Sequence, residues 1–241
     1  MQTPSPPPRW HILDAGRAAA VLAMVVYHLC WDLDYYGLAD LGMFRDPVPI
    51  WSARLIAGSF LFLAGFNHVL SLRQGFDLKG LGKRLAMVGG CAAAISAGSY
   101  VMFPESWIFF GILHGIALGS VLVLAFDRLP TAVVALSALF FLGLPSFYTD
   151  PLFNGRGLAW IGLASRGPIT NDFVPVFPWF GVILAGLVAA RLALARDLRP
   201  AWAPAGRFGR AALWVGRHSL VIYMLHQPIM LAALYPIATS P

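Results

Sequence analysis

The chain has 241 residues, of which 59% are hydrophobic and only 12% charged, and its mean hydropathy is +0.71. A soluble domain carries roughly twice that charged fraction, so the composition excludes an ordinary water-soluble globule. The formal net charge of +6 does not point to nucleic acid, because the basic residues sit at the ends of apolar runs, where they act as topology signals.

The opening MQTPSPPPRW is polar and proline-rich and is expected to be a short irregular segment over 1–11. A first apolar run follows with no small-residue cleavage site behind it, so it reads as a retained span. Seven runs are long enough to cross a bilayer as helices, which takes about 20 residues: 12–33, 50–71, 83–103, 107–126, 131–148, 175–196 and 212–234. Pro, Gly and charge mark the breaks, as in DPVP at 46–49, DLKGLGKR at 77–84 and DRLP at 127–130. The expected fold is an all-α, polytopic transmembrane helix bundle of about seven spans, one domain over 12–236. A long outer connection at 149–173 holds LAWIGLA, an apolar piece too short to span.

With the N-terminus cytoplasmic, thirteen of the 17 Lys and Arg residues fall at inner ends or loops, and only Arg45, Arg54, Arg156 and Arg166 fall outside. That bias predicts an external C-terminus. Cys30 and Cys91 lie inside apolar runs and form no CxxC or disulfide framework. No metal-ligand cluster and no phosphate-binding glycine loop is visible, so no metal is expected.

The first span holds the most informative constellation, RAAAVLAMVVYHLCWD from Arg17 to Asp32. Arg17 and His28 are eleven positions apart, close to three helical turns, so they share a face and lie about 16 Å apart along the axis. Asp32 follows His28 at i+4, and Asp14 precedes Arg17 at i−3, both within side-chain reach. A histidine deep in a span is a functional candidate by default, whereas an arginine at the inner end also serves as a snorkelling anchor. The spacing suits an acyl-coenzyme A. Arg17 would hold phosphate by charge-assisted hydrogen bonds, and His28 would act as general base on an incoming amine or hydroxyl. Asp32 would accept from the other ring nitrogen and fix the tautomer.

The quoted Arg-to-His pattern resembles the signature of the transmembrane acyltransferase superfamily, which includes the acyltransferase-3 O-acetylases. LDAGRAAAVLAMVVYHLCWDLDYYG (13–37), GSFLFLAGF (58–66), FGILHGIALGS (110–120), PVFPWFGVILAG (175–186) and GRHSLVIYMLHQP (216–228) resemble the bacterial heparan-α-glucosaminide N-acetyltransferase-like family in the same block order. The resemblance implies a bacterial inner-membrane enzyme that moves acetyl from cytoplasmic acetyl-CoA to an amine or hydroxyl of a sugar or glycan on the far side. The chain is shorter than the lysosomal member and lacks its lumenal domain, so the resemblance speaks for acyl transfer more than for a particular acceptor.

Further candidates follow. Arg84, His114, Arg217 and His226 are assigned to the acyl-CoA, and Asp34 and Asp172 to the acceptor. His114 adjoins a stripe of Gly111, Gly115 and Gly119 that reads as helix packing, and the histidine itself reads equally as an interhelical hydrogen bond. In the last span Pro228 is expected to kink the helix, and His226 is expected about 12–14 Å beyond Arg217 on one helix. His68 and Asn67, near Arg73, are either interfacial or close to the nucleotide. Self-association is left open. The competing readings are a proton-coupled transporter or flippase that relays protons through His28, Asp32 and His226, and a structural membrane subunit. The lack of an internal repeat weakens the transporter, and the buried ionisable groups weaken the structural subunit.

Overall fold

The computed structural model describes residues 10–75, 77–198 and 205–239. The predicted irregular start thus lies almost wholly outside the described residues. The helices are α1 (His11–Tyr35), α2 (Pro47–Arg73), α3 (Leu78–Met102), α4 (Ile112–Leu122), α5 (Thr131–Gly143), α6 (Arg156–Ala159), α7 (Val176–Ala195), α8 (Gly206–Arg217) and α9 (Ser219–Ala238). Short 3₁₀ turns at Val123–Phe126 and Leu144–Ser146 extend α4 and α5. Among the described residues there is no strand, only isolated bridges between Phe110 and Phe173 and between Asp150 and Ala164.

Five helices, α1, α2, α3, α7 and α9, are long and apolar enough to cross a membrane, as a multi-pass membrane protein requires. Two of the predicted spans come out shorter, as apolar helices at Ile112–Phe126 and Thr131–Ser146. In the first case residues 107–111 do not join the helix: the Phe110 carbonyl accepts from the Val174 N–H at 3.0 Å instead. The predicted span 212–234 is also corrected. The chain breaks at His218, which ends α8 and precedes α9.

The chain clusters into two compact units. The central unit is Leu61–Leu198 and holds the second half of α2 with α3 to α7. Here α5 and α3 pack on α7 and α4 respectively, and α4 also meets α7. Close approach depends on missing side chains. A Cβ on Gly65 would stand 1.9 Å from the Ile183 carbonyl oxygen, and one on Gly186 would stand 2.1 Å from that of Phe62, so α2 and α7 cross backbone to backbone. The predicted glycine stripe on α4 does pack: Gly111, Gly115 and Gly119 face Asp172, Val174 and Ile183.

The outer connection is ordered by this unit. Asn171 N–H donates to the Ser106 carbonyl at 2.9 Å, Thr170 Oγ1 donates to that of Trp107 at 2.9 Å, and the Trp160 ring lies 5.9 Å from that of Phe110.

The terminal unit combines the described residues among 9–60 and 199–241. In it α1 packs along both α8 and α9. One stripe of α1 is buried: Asp14, Ala18, Val21, Met24 and Asp32. Leu22, Val26 and Leu29, at i, i+4 and i+7, are exposed, which is the apolar face a lipid-facing helix turns outward. Gly216 sets the α1–α8 distance, since a Cβ there would lie 1.9 Å from the Asp14 carbonyl oxygen.

Candidate functional site

The polar residues of the terminal unit form two groups along the inward stripe of α1. The first is at its start. Asp14, 1% exposed, accepts from Arg17 Nη1 through Oδ1 at 2.7 Å, and the Arg217 Nε of α8 stands 3.7 Å from its Oδ2. Two guanidinium groups thus flank one buried carboxylate. Arg17 and Arg217 retain 25% and 42% side-chain exposure, so each keeps donors within reach of a ligand. The sequence anticipated both arginines and paired Asp14 with Arg17; the bridge to α8 joins residues remote in sequence.

The second group lies about three turns further on, at His28. Its Nδ1 lies 2.9 Å from the Met24 carbonyl oxygen. A carbonyl only accepts, so Nδ1 carries the proton and, in the neutral ring, Nε2 keeps its lone pair. This corrects the expectation for Asp32: the backbone of α1 itself fixes the tautomer. Asp32 is fully buried and accepts instead from Gln227 Nε2 on α9 at 2.6 Å.

Beside Gln227, the His226 ring lies 4.8 Å from that of His28 at an interplanar angle of 69°. His226 donates Nδ1–H to the Tyr223 carbonyl at 2.7 Å, so its Nε2 is also a lone-pair position. Because α8 and α9 are separate helices, His226 is not carried above Arg217 on one axis as expected. Both instead reach α1, at its two ends. The α9 helix runs on through Pro228.

Asp32 Oδ2, His226 Nε2 and Gln227 Oε1 are buried and have no hydrogen-bond partner among the described residues. His28 Nε2 has no hydrogen bond either among them. Buried polar atoms of native proteins are rarely left so. Three buried acceptor positions on α1 and α9 lack donors beside the lone pair of His28 Nε2, and a donor-rich group entering here would satisfy them. Gln227 is the residue that sequence reading missed. Its only signal was its place beside His226 and before a helix-breaking proline.

The remaining candidates are engaged elsewhere. Asp34 accepts from Met43 N–H at 2.7 Å and from Leu41 N–H at 3.3 Å, which shapes the loop after α1. In the central unit, Asp172 Oδ2 accepts from Ile112 N–H at 2.8 Å and caps α4. Partial burial pushes its carboxyl up to about 6 despite that bond and one from the Phe173 N–H. His114 accepts at Nδ1 from Gly111 N–H at 3.2 Å, and its Nε2 lies 3.2 Å from Ser96 Oγ. The ring thus caps its own helix through Gly111 and reaches α3 through Ser96. His68 Nε2 lies 2.7 Å from Asp127 Oδ1, while Arg191 donates to the carbonyls of Phe126, Asp127 and Leu129 and closes the end of α4. Arg84 lines a cavity of about 340 Å³.

The protein is thus a multi-pass helical protein in which α1 contributes to both a His–His and Asp–Gln cluster and an Arg–Asp–Arg group. The chain belongs to the family described as heparan-alpha-glucosaminide N-acetyltransferase, catalytic, whose model matches residues 9–228. The family is one of acetyltransferases, and the match runs through both groups of the terminal unit. No curated protein and no solved structure was found to match the chain.

Proposed function

We propose that the protein transfers an acetyl group from cytoplasmic acetyl-CoA to the amine of an amino-sugar acceptor on the outer side of the membrane. The observation that carries this reading is the shortage of donors around His28. A sugar hydroxyl brings one donor, whereas a neutral amine brings two, and three buried acceptor positions on α1 and α9 lack one beside the His28 Nε2 lone pair.

The residues act as follows. Arg17 and Arg217 hold the phosphate-bearing head of the donor by charge-assisted hydrogen bonds. The pantetheine arm covers the roughly 16 Å that eleven residues of α1 span between the arginines and His28. The acceptor amine attacks the thioester carbonyl, forming the N–C bond as the C–S bond breaks. His28 Nε2 takes the proton that the nitrogen gives up and returns it to the leaving thiolate, so the products are the amide and free coenzyme A. Asp32 and Gln227 line the place of the amine and accept from its remaining N–H, and His226 completes the pocket. The in-phase Lys/Arg bias supports a cytoplasmic N-terminus and hence donor entry from the inner side.

The test is turnover of purified protein with glucosamine and with N-acetylglucosamine, which offers hydroxyls alone. Coenzyme A release and acetylated product are expected with glucosamine only. Equal transfer to N-acetylglucosamine would mean O-transfer, and no release with either would remove the amino-sugar reading.

A further inference from the structure

We infer that the central unit carries a phosphate-binding site of its own, built on Arg84. A cavity of about 340 Å³ opens among the end of α2, the start of α3, and α4, a size at the lower end of small-molecule pockets. Arg84, Ser71, Gln74 and Ser120 supply its polar wall, and Val123 and Ile183 its apolar floor.

Arg84 has no hydrogen bond and no ion pair among the described residues. A half-buried guanidinium with five N–H donors, facing a cavity and lacking a carboxylate, calls for an anion.

The other charged groups of the wall are already matched. Asp77 accepts through Oδ1 from Lys79 N–H at 3.0 Å and through Oδ2 from Gly80 N–H at 3.3 Å, so its charge serves the N-terminus of α3. His68 is held by Asp127 at 2.7 Å. That leaves Arg84 as the cation facing the cavity. Its planar fork suits phosphate, with two parallel N–H···O bonds.

The apolar floor adds a second requirement, because it offers no partner for a fully polar anion. The ligand is thus a phosphate group joined to a less polar arm. Two kinds of molecule have that chemistry: the nucleotide end of a coenzyme A thioester, and an anionic phospholipid. The site stands apart from the acetyl-transfer reading, because it predicts binding whether or not the protein transfers acetyl.

The experiment measures dissociation constants of the purified full chain in neutral detergent. The probes are coenzyme A, its 3′-dephospho form, and phosphatidylglycerol in mixed micelles with phosphatidylcholine as the neutral control. Wild type is compared with Arg84→Gln, Arg84→Lys and Gly80→Phe. Gly80 lines the cavity with nothing within 4 Å of where its Cβ would be, so the last variant puts a ring into the cavity one helical turn from Arg84 while keeping the guanidinium charge, and it decides the matter if Arg84→Gln does not fold.

Arg84→Gln is expected to weaken one phosphate probe by about ten- to hundredfold, the range of a charge-assisted contact, with Arg84→Lys between it and wild type and Gly80→Phe matching the loss. A loss confined to coenzyme A assigns the cavity to the donor, and full persistence of that loss with the 3′-dephospho form points to the pyrophosphate. A loss confined to phosphatidylglycerol assigns it to lipid. A wild type that binds no coenzyme A but does bind phosphatidylglycerol through Arg84 would sink the acetyl-CoA reading and leave this site standing. Equal affinities of all four proteins for every probe, or no phosphate probe bound by wild type, would overturn it.

Discussion

Gln227 of α9 donates to Asp32 of α1 across 2.6 Å, joining residues 195 positions apart. The bond gives a donor to a fully buried carboxylate, whose other oxygen has no partner among the described residues. Replacing Gln227 by Leu should therefore lower stability by about 1–3 kcal/mol, the cost of stranding a buried polar group, and should lower turnover with it. Thermal unfolding in detergent for Gln227→Leu, Asp32→Leu and the double variant tests the pairing. The double variant should cost less than the sum of the singles, and strict additivity would show that the two groups do not depend on each other.

His28→Ala should reduce turnover by about 10²–10⁴-fold, the usual contribution of a positioned general base, and leave donor affinity unchanged. Asp32→Asn should do less harm, because Met24 and not Asp32 fixes the His28 tautomer. Steady-state rates and acetyl-CoA titration of both variants check this. Joint collapse of binding and turnover in His28→Ala would make the ring a donor contact.

At the other end of α1, Arg17→Gln and Arg217→Gln should each weaken acetyl-CoA by about ten- to hundredfold. Asp14→Asn should act the opposite way on affinity, since it removes the carboxylate that both guanidinium groups flank, while loosening the α1–α8 contact. Calorimetric titration of the three variants decides between a phosphate clamp and a pair of interfacial anchors, for which all three would bind the donor equally.

Gly216→Ala should be among the more damaging single-methyl changes in the chain. Its Cβ would stand 1.9 Å from the backbone oxygen of Asp14, and backbone yields less readily than a side chain. A loss of about 1–3 kcal/mol is expected from such overpacking, read as a lower unfolding temperature.

Asp172 gives the stability a pH dependence. Its carboxyl is raised to about 6 in the fold, above the usual range, so the contribution to stability is fully present below about pH 4 and is lost as pH rises through 6. At about 1.4 kcal/mol per tenfold change in proton affinity, holding it ionised at pH 7 costs on the order of 3 kcal/mol. Asp172→Asn keeps an oxygen for the Ile112 N–H and removes the charge. Its unfolding temperature should vary less than that of wild type between pH 4 and 6.5, and should exceed wild type above that range.

The inward stripe of α1 was legible because a 3.6-residue period alone places Asp14, Arg17, His28 and Asp32 on one face. Four of the spans, and most of the last one, were legible for the same kind of reason, length and apolarity. What was not legible depends on contacts between distant segments. The break at His218 has only weak local signals, Gly216 before it and Ser219 after it, inside a run that is otherwise apolar enough to read as one span. The partner of Asp32 lies almost the whole chain away. Asp34 and Asp172 looked like ligands for an acceptor, yet each finds backbone N–H groups of a neighbouring segment, which composition cannot foretell.

The two polar groups of the terminal unit share a single continuous helix, and that makes α1 a gauge. The offset between the arginine pair and the histidine pair equals the rise of eleven residues, about 16 Å, with no loop in between to absorb an error. One residue added between Ala18 and Tyr27 would push the groups 1.5 Å further apart and also turn them about 100° out of line. Point changes on the exposed face of that stretch leave the offset untouched. Its surface is therefore free to drift with the surrounding lipid, while its residue count is not.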